Sequence, residues 1–334
     1  MGQTPMRNLI TDVPGVLVGH ADDARLGSGA TVVLFEAPAA GGMATPGGAP
    51  ALREGALLGP EMTVERIDAF VLSGGSAFGL DAAGGVMAHL ASQGRGFAKG
   101  DVRVPITPGA ALFDLDHGGD KNWGARSPYG DLGYTAVTNA GPDFALGTAG
   151  AGYGAWTYDL QGGLGSASAT TSRGFVVGAL VAANPAGRVT RGSSPHFWAA
   201  SYERSAEFGG IGAGVLPDDA FTLCLSSDEP INTTLVVVAT DAAFNNAQMT
   251  RIAIMASAGI ALAMRPAFGP ADGDVVFAAS TARAKEPPTL RDLAEIGTLA
   301  AECVARAIAR GIYKAMTLPF PGAKPSWRQR YQSS

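Results

Sequence analysis

A polar triplet, Asn232, Thr233 and Thr234, opens the otherwise apolar segment INTTLVVVAT at 231–240. The β-branched run that follows it predicts a buried strand. A hydroxyl group at the start of such a strand either caps the strand end or acts as a nucleophile on a rigid support. Which interpretation holds depends on the polar groups that the fold brings near Thr233.

Three polar side chains at the ends of other predicted strands are candidates to assist a nucleophile. Asn184 ends the segment FVVGALVAAN, where its side-chain amide could donate to an oxyanion. Asp272 and Asp274 flank Gly273 where another strand begins, so both carboxylates can point to the same side. Each motif is also typical of an ordinary turn or strand end. The residues alone leave a shared active site and separate turns both open.

Two other segments contain residues of the kind that bind phosphates or metal ions. SGGSAFGLDAAGGVM at 73–87 follows a predicted strand and opens a helix, but it lacks the Gly-Lys-Ser/Thr of a phosphate loop. FDLDHGGDKNWG at 113–124 resembles a calcium loop, yet Gly118 and Ala125 stand where oxygen ligands are required. We expect close packing or substrate approach at the first segment and a polar surface loop at the second.

The histidines and cysteines do not indicate a metal site or a cofactor. The four histidines show no ligand spacing and no triad pattern; they are His20, His89, His117 and His196. Cys224 and Cys303 are the only cysteines, and each lies in an apolar periodic segment. We expect both to be core residues, without a disulfide or a zinc site. The sequence calls for no metal and no cofactor.

The elements that must position these residues alternate between strands and helices. Short β-branched runs predict buried strands; they lie at 15–20, 30–37, 67–74, 175–184, 233–240 and 273–280. Helical spacing predicts helices over 76–93, 243–264 and 289–315, with Thr289 as N-cap of the last. Continuously apolar strands need cover on both faces, which predicts a layered α/β or α+β fold.

Length and composition exclude several classes of function. The 334 residues contain no linker or low-complexity segment, which predicts one large globular unit. A net charge of −5 without a basic stripe argues against nucleic-acid binding. The longest apolar run, 252–264, is too short to span a bilayer, and the N-terminal segment is not of signal-peptide type, so we expect no membrane association and a cytoplasmic location. Charged residues make up only 16%, which favours a homo-oligomer.

Six motifs together resemble the L-aminopeptidase/D-esterase family, which includes β-peptidyl aminopeptidases and nylon-oligomer hydrolases. They occur in the family's order over nearly the whole chain: ITDVPGVLVGHA (10–21), VLSGGSAFGLDAAGGVM (71–87), TAGAGYGAW (148–156), GGLGSAS (162–168), NTTLVVVATDA (232–242) and DGDVVFAAST (272–281). The resemblance implies an α+β fold, a four-layer αββα sandwich similar to that of N-terminal-nucleophile hydrolases. It also implies a single catalytic domain, residues 1–334, made as an inactive precursor.

The resemblance further implies that the precursor cleaves itself between Asn232 and Thr233. This would leave an α chain of 1–232 and a β chain of 233–334. Thr233 would be the nucleophile, and its freed α-amino group, with a reference pKa of about 7.7–8.0, would be the general base. Such a residue needs no histidine.

Other site residues follow from the same motifs. Asn184 would be an oxyanion donor. Asp272 and Asp274 match the acidic pair of the nylon-oligomer hydrolases; they would orient the Thr233 amine, share a proton or bind a substrate ammonium group. Asp159 stands where many members have a catalytic lysine, so Tyr158 or Asp159 would substitute for it.

The substrate and the assembly are also implied by the family. The substrate site is expected at five residues, Gly75, Ser76, Phe78, Phe113 and Asp159, of which Phe113 replaces a tyrosine of the nylon-oligomer enzymes. The implied activity is hydrolysis of small peptides, amides or esters, with β-, D- or L-aminoacyl groups, or of linear non-peptide amide oligomers. The family forms tetramers of αβ units. The alternatives are an acyltransferase of the ornithine-acetyltransferase type and a non-catalytic binding or assembly relative.

Overall fold

The structure is a computed structural model that describes residues 6–225 and 232–332. Its strands, in chain order, are β1 (Val16–Asp23), β2 (Ser28–Ala44), β3 (Ala51–Arg53), β4 (Ile67–Ser73), β5 (Phe97–Lys99), β6 (Val102–Val104), β7 (Gly109–Ala111), β8 (Gly163–Thr170), β9 (Val176–Asn184), β10 (Thr233–Thr240) and β11 (Val275–Ser280). Its helices are α1 (Ser76–Gly79), α2 (Ala82–Ser92), α3 (Tyr129–Thr138), α4 (Asn246–Ala263), α5 (Leu290–Lys314) and α6 (Trp327–Tyr331).

The long strand β2 belongs to two sheets. Its first half pairs antiparallel with β1 and β4, and its second half pairs antiparallel with β11 after a shift of register between Leu34 and Ala39. The first sheet continues through β7 to β3, and the second runs β2, β11, β10, β9, β8. Within the second sheet β10 is parallel to β11 and antiparallel to β9. The beginning of β10 therefore lies beside the beginning of β11 and the end of β9.

Three apolar clusters lie between the layers. One lies between the sheets and contains Leu235 and Phe277 of the second sheet and Phe70 of the first. A second joins α4 and α5 to the outer face of the second sheet, and a third joins α2 and α3 to the outer face of the first. The predicted four-layer αββα sandwich is confirmed. Both faces of the central strands are buried, which explains why their sequences do not alternate.

All six predicted strands are present, as β1, β2, β4, β9, β10 and β11. The helix predicted over 76–93 is interrupted, forming α1 and α2. Thr289 does cap α5: its hydroxyl accepts from Asp292 N, and Asp292 in return accepts from Thr289 N. Among the described residues, no helix combines the length and the apolar character that a transmembrane span requires.

The strand β8 was not predicted, because its sequence GLGSASAT has few β-branched residues. Its small residues have a packing reason. A Cβ atom on Gly165 would lie 1.8 Å from the carbonyl oxygen of Ala307, so α5 can approach β8 only if that position is glycine. Contact with a helix, rather than strand propensity, determines the composition of β8.

Two predictions about the surroundings of the core need correction. The segment 113–124 is not simply a surface loop, because Asp114 is fully buried and His117 is 7% exposed. Asp114 is stable there because its carboxylate accepts from Gly75 N at 2.8 Å and Ser28 Oγ at 2.6 Å. Cys303 is a core residue as predicted, but Cys224 is only half-buried; both are free thiols.

Candidate active site

The site is built where three strand ends meet. Thr233, the first residue of β10, is in register with Asn184, the last residue of β9. On the other side, the pairing of Leu235 with Val275 places the residues before β11 next to Thr233 and Thr234. Thr233 is 5% exposed and Asn184 is fully buried. Main-chain hydrogen bonds of the sheet thus bring Thr233 next to Asn184, nearly fifty residues earlier in the chain, and next to the residues before β11, about forty residues later.

The carbonyl oxygen of Asn232 accepts two hydrogen bonds. Thr233 Oγ1 donates to it at 2.6 Å, and Gly273 N donates to it at 2.8 Å. The hydroxyl of Thr233 therefore lies against the peptide group that precedes it, and a second donor polarises that group. A Cβ atom on Gly273 would lie 2.6 Å from Thr233 Oγ1, so a side chain at 273 would displace the hydroxyl.

The carboxylates of Asp272 and Asp274 bind main-chain N–H groups. Asp274 accepts from Thr234 N at 2.7 Å and from Phe268 N at 3.2 Å, and Asp272 accepts from Gly269 N at 2.8 Å. Asp272 Oδ1 is buried and has no hydrogen-bond partner among the described residues. Burial, and then the charge of Asp272, raise the pKa of Asp274 to about 7. Burial also raises the pKa of Asp272, so both carboxyl groups hold their protons to higher pH than free aspartates do.

Neither carboxylate contacts the hydroxyl of Thr233 in the described structure. Side chains along β10 alternate between its two faces. Thr234 faces α4, with Oγ1 3.6 Å from Met264 Sδ, and Asp274 binds the same residue's main chain. The hydroxyl of Thr233 points away from these groups, toward Gly273. In this uncut chain the acidic pair fixes the main chain around Thr233, rather than the hydroxyl group itself.

Asn184 connects two loops instead of contacting the Asn232 carbonyl. Its Oδ1 accepts from Trp156 N at 2.8 Å, and its Nδ2 donates to Phe113 O at 2.9 Å. Gly273 N, which the sequence analysis did not single out, is the donor at that carbonyl. The signal for it was present, as a glycine between two aspartates at a strand entrance.

Three of the five residues predicted to bind substrate form a connected group, whereas Phe78 and Asp159 lie outside it. Gly75 N donates to the Asp114 carboxylate, and Ser76 N donates to Leu112 O at 2.8 Å. Both bonds tie this loop to the segment that contains Phe113, whose carbonyl oxygen accepts from Asn184. Phe78 lies on the surface, 53% exposed, with its ring edge-on to Trp123. Burial raises the pKa of Asp114, whose carboxylate holds the Gly75 loop in place.

Tyr158 and Asp159 belong to a neighbouring ionic network and do not contact Thr233 in the described structure. The guanidinium of Arg188 lies 4.8 Å from the centre of the Tyr158 ring and 3.1 Å from the Asp159 carboxylate. Arg330 also pairs with Asp159, at 3.2 Å.

A lysine does reach this loop, although from a distant part of the chain. Lys324 Nζ donates to Thr157 O at 2.6 Å and lies 5.2 Å from the Trp156 ring centre, and burial lowers its pKa. Nothing in the sequence links Lys324 to Trp156, because 168 residues separate them.

Comparisons with known proteins agree with this architecture. The sequence profile of peptidase family S58 matches residues 8–324. An uncharacterized aminopeptidase of Mycobacterium bovis is 41% identical over 347 aligned positions, covering 95% of this chain and 99% of that protein. The family resemblance expected from the six motifs is confirmed.

Solved structures share the fold at low sequence identity. A β-aminopeptidase of a Burkholderia species superposes with a TM-score of 0.67 at 22% identity, covering 99% of this chain and 93% of that one. The L-aminopeptidase D-Ala-esterase/amidase of Ochrobactrum anthropi, described as a variant of the Ntn-hydrolase fold, has a TM-score of 0.70 at 20% identity, covering 98% and 92%.

These matches favour a hydrolase over a non-catalytic binding or assembly module. Because the family profile spans nearly the whole chain and a relative is 41% identical along its full length, this protein belongs to peptidase family S58 and is a hydrolase of the peptidase class.

Proposed function

We propose that the protein is a self-cleaving amide hydrolase that uses Thr233 as its N-terminal nucleophile. The observation that carries this proposal is the position of Thr233 Oγ1, 2.6 Å from the carbonyl oxygen of Asn232 in a buried strand entrance. A threonine hydroxyl held rigidly against its own preceding peptide group is arranged for an intramolecular acyl shift.

The proposed reaction conserves atoms and protons. Thr233 Oγ1 attacks the Asn232 carbonyl carbon, and the carbonyl electron pair moves onto oxygen. When this intermediate collapses, the C–N bond breaks and the hydroxyl proton ends on the Thr233 nitrogen, leaving an ester. Water then cleaves the ester to an Asn232 carboxylate and regenerates the hydroxyl. The new α-amine, with a reference pKa of about 7.7–8.0, becomes the general base for turnover.

The other residues would support this chemistry. Asn184 fixes Trp156 and Phe113 beside the strand end and would be an oxyanion donor in the cut enzyme. Asp272 and Asp274 would fix the main chain at the start of β10 and, after cleavage, orient the new α-amine of Thr233. Tyr158 and Asp159 would form the adjoining wall of the active site. The substrate would be bound by Gly75, Ser76, Phe78 and Phe113.

The proposed products and substrates follow from the site and from the relatives. One catalytic domain, 1–334, would give an α chain of 1–232 and a β chain of 233–334. A relative is named an aminopeptidase, and two structural neighbours are named a β-aminopeptidase and an aminopeptidase with esterase/amidase activity. We therefore propose small aminoacyl peptides, amides or esters, or linear amide oligomers, as substrates of a cytoplasmic homo-oligomer, with tetramers of αβ units as in the family.

A pair of isosteric variants tests the proposal. Purified wild-type protein should convert to two fragments on a denaturing gel, and mass spectrometry should find Thr233 as a new N-terminus. Thr233→Val should remain intact and inactive, whereas Thr234→Val, which removes the neighbouring hydroxyl, should still be cut. Cleavage in Thr233→Val, or a persistently intact wild-type chain, would refute the proposal.

A substrate panel separates the remaining alternatives. We would assay p-nitroanilides of β-, D- and L-amino acids beside a linear amide oligomer. Accumulation of a hydroxamate when hydroxylamine is added, with little hydrolysis in its absence, would instead indicate an acyltransferase.

A further inference from the structure

We infer that the main-chain N–H of Gly273 is the donor that stabilises the oxyanion during self-cleavage. This inference rests on the proposed function, and it assigns a role to a residue that has no side chain. Gly273 N lies 2.8 Å from the carbonyl oxygen of Asn232, within the range of effective oxyanion donors. The negative charge of the tetrahedral intermediate forms on that oxygen atom.

The side chain of Asn184 does not occupy this position in the uncut chain. Its donor nitrogen binds Phe113 O at 2.9 Å and its oxygen binds Trp156 N at 2.8 Å. Two donors from the described residues reach the Asn232 carbonyl, and one of them, Thr233 Oγ1, becomes the attacking atom. Gly273 N–H is then left to stabilise the charge that develops.

The donor is held in place from both sides. Asp272 O accepts from Ala49 N at 2.9 Å, and Asp274 O accepts from Gly47 N at 3.2 Å. The carboxylates of the same two aspartates accept from Gly269 N and Thr234 N at 2.8 and 2.7 Å. Such anchoring means that little reorganisation is needed when charge forms. Asp272 and Asp274 therefore act in self-cleavage by holding the N–H of Gly273, which lies between them, in position.

Glycine at 273 is also required for space. A Cβ atom there would lie 2.6 Å from Thr233 Oγ1 and 2.9 Å from Ala49 O. The second atom belongs to the main chain and cannot rotate away. Gly273 thus allows the nucleophile and the oxyanion donor to occupy adjacent positions.

An amide-to-ester substitution tests the donor directly. Glycolate in place of Gly273, introduced by nonsense suppression into the full chain, removes the N–H and adds no side chain. We expect self-cleavage to slow by about 100-fold or more, the typical effect of losing one oxyanion donor. Glycolate at Gly141, whose N donates to Val18 O at 3.0 Å far from the site, is the matched control and should cleave within threefold of wild type.

One outcome would overturn the inference: a chain with glycolate at 273 that melts like the control and cleaves at the control's rate; self-cleavage itself would then still stand. A Gly273→Ala variant, which keeps the N–H, tests the need for space instead. Its methyl group should displace the Thr233 hydroxyl and block cleavage, and cleavage at the wild-type rate would contradict the requirement for glycine at 273. If wild-type protein is not cut, or Thr233→Val is cut, the proposed function fails instead, so the two failures are distinguishable.

Discussion

The entrance of β10 and the loop around Asp159 are neighbouring regions that are held together in different ways. At the entrance, Thr233, Asn184 and Gly273 are located by strand pairing and by main-chain hydrogen bonds. Around Asp159, the position of the loop depends on ion pairs with Arg188 and Arg330.

This difference suggests which region can support precise chemistry. Groups fixed by a sheet ladder have little freedom, whereas groups on loops are only as fixed as their side-chain contacts. The sequence resemblance placed residues of both regions in one catalytic set. We propose the strand entrance as the reacting centre and the Asp159 region as its support.

Breaking the link between the two regions should have the largest effect. Asn184→Leu leaves the partly buried Trp156 N–H and Phe113 C=O without their partners. We expect a loss of about 2–5 kcal/mol in the free energy of unfolding, from two unsatisfied polar groups. Urea unfolding in the Thr233→Val background, where the chain stays intact, measures it. Asn139→Leu, at an exposed asparagine whose side chain donates to His20 O, is the control; equal losses for both would contradict the role of Asn184.

Removing the carboxylate of the second region should have a smaller effect, and mainly on stability. Asp159→Asn weakens two ion pairs at a side chain that is 10% exposed. We expect a loss of about 1–3 kcal/mol in stability and a self-cleavage rate within threefold of wild type. Asp116→Asn, at a side chain 73% exposed, should change neither. Should Asp159→Asn abolish self-cleavage, the distinction between the two regions would be wrong.

The smallest predicted effect depends on pH and concerns the acidic pair. The raised pKa of Asp274, about 7, means that the protonated form is favoured in the folded state. The resulting stabilisation is complete below the unfolded pKa near 3.9 and is lost as the pH rises through 7. Asp272→Asn removes the like charge and so lowers the pKa of Asp274.

We therefore expect Asp272→Asn to be more stable than its parent by about 1 kcal/mol at pH 8 and unchanged at pH 4. Thermal melts across this range, again in the Thr233→Val background, provide the measurement. A difference that is constant with pH would show that the two carboxylates do not interact.

Much of the fold could be predicted from local pattern because the apolar strands are buried on both faces. The apolar runs of β4 and β10 are examples. The N-cap at Thr289 was also predicted, because capping depends on the local sequence. The strand β8 and helix α3 were missed because their small residues carry weak propensity and are explained only by what packs against them. The burial of Asp114 was likewise invisible, since its partners Ser28, in β2, and Gly75, the N-cap of α1, come from distant segments of the chain.

The candidate site was predicted in its residue types and only partly in its contacts. Thr233, Asn184 and the acidic pair do come to one place, as strand ends in adjacent register. The carboxylates, however, bind main-chain N–H groups, and Gly273 rather than Asn184 contacts the Asn232 carbonyl. The Asp-Gly-Asp pattern marked the position of Gly273, but only the register between β10 and β11 shows that its N–H faces the Asn232 carbonyl.

The sequence by itself determined the long apolar strands and the main helices, and it placed a hydroxyl residue at the entrance of one buried strand. These properties are local, since they follow from the spacing of apolar residues and from the chemistry of single side chains. Only the tertiary structure decided which main-chain N–H faces the Asn232 carbonyl and which face of the sheet the carboxylates occupy. Those relations depend on the register between strands that are far apart in the chain, and hydrogen bonding across a sheet fixes register only when the chain has folded.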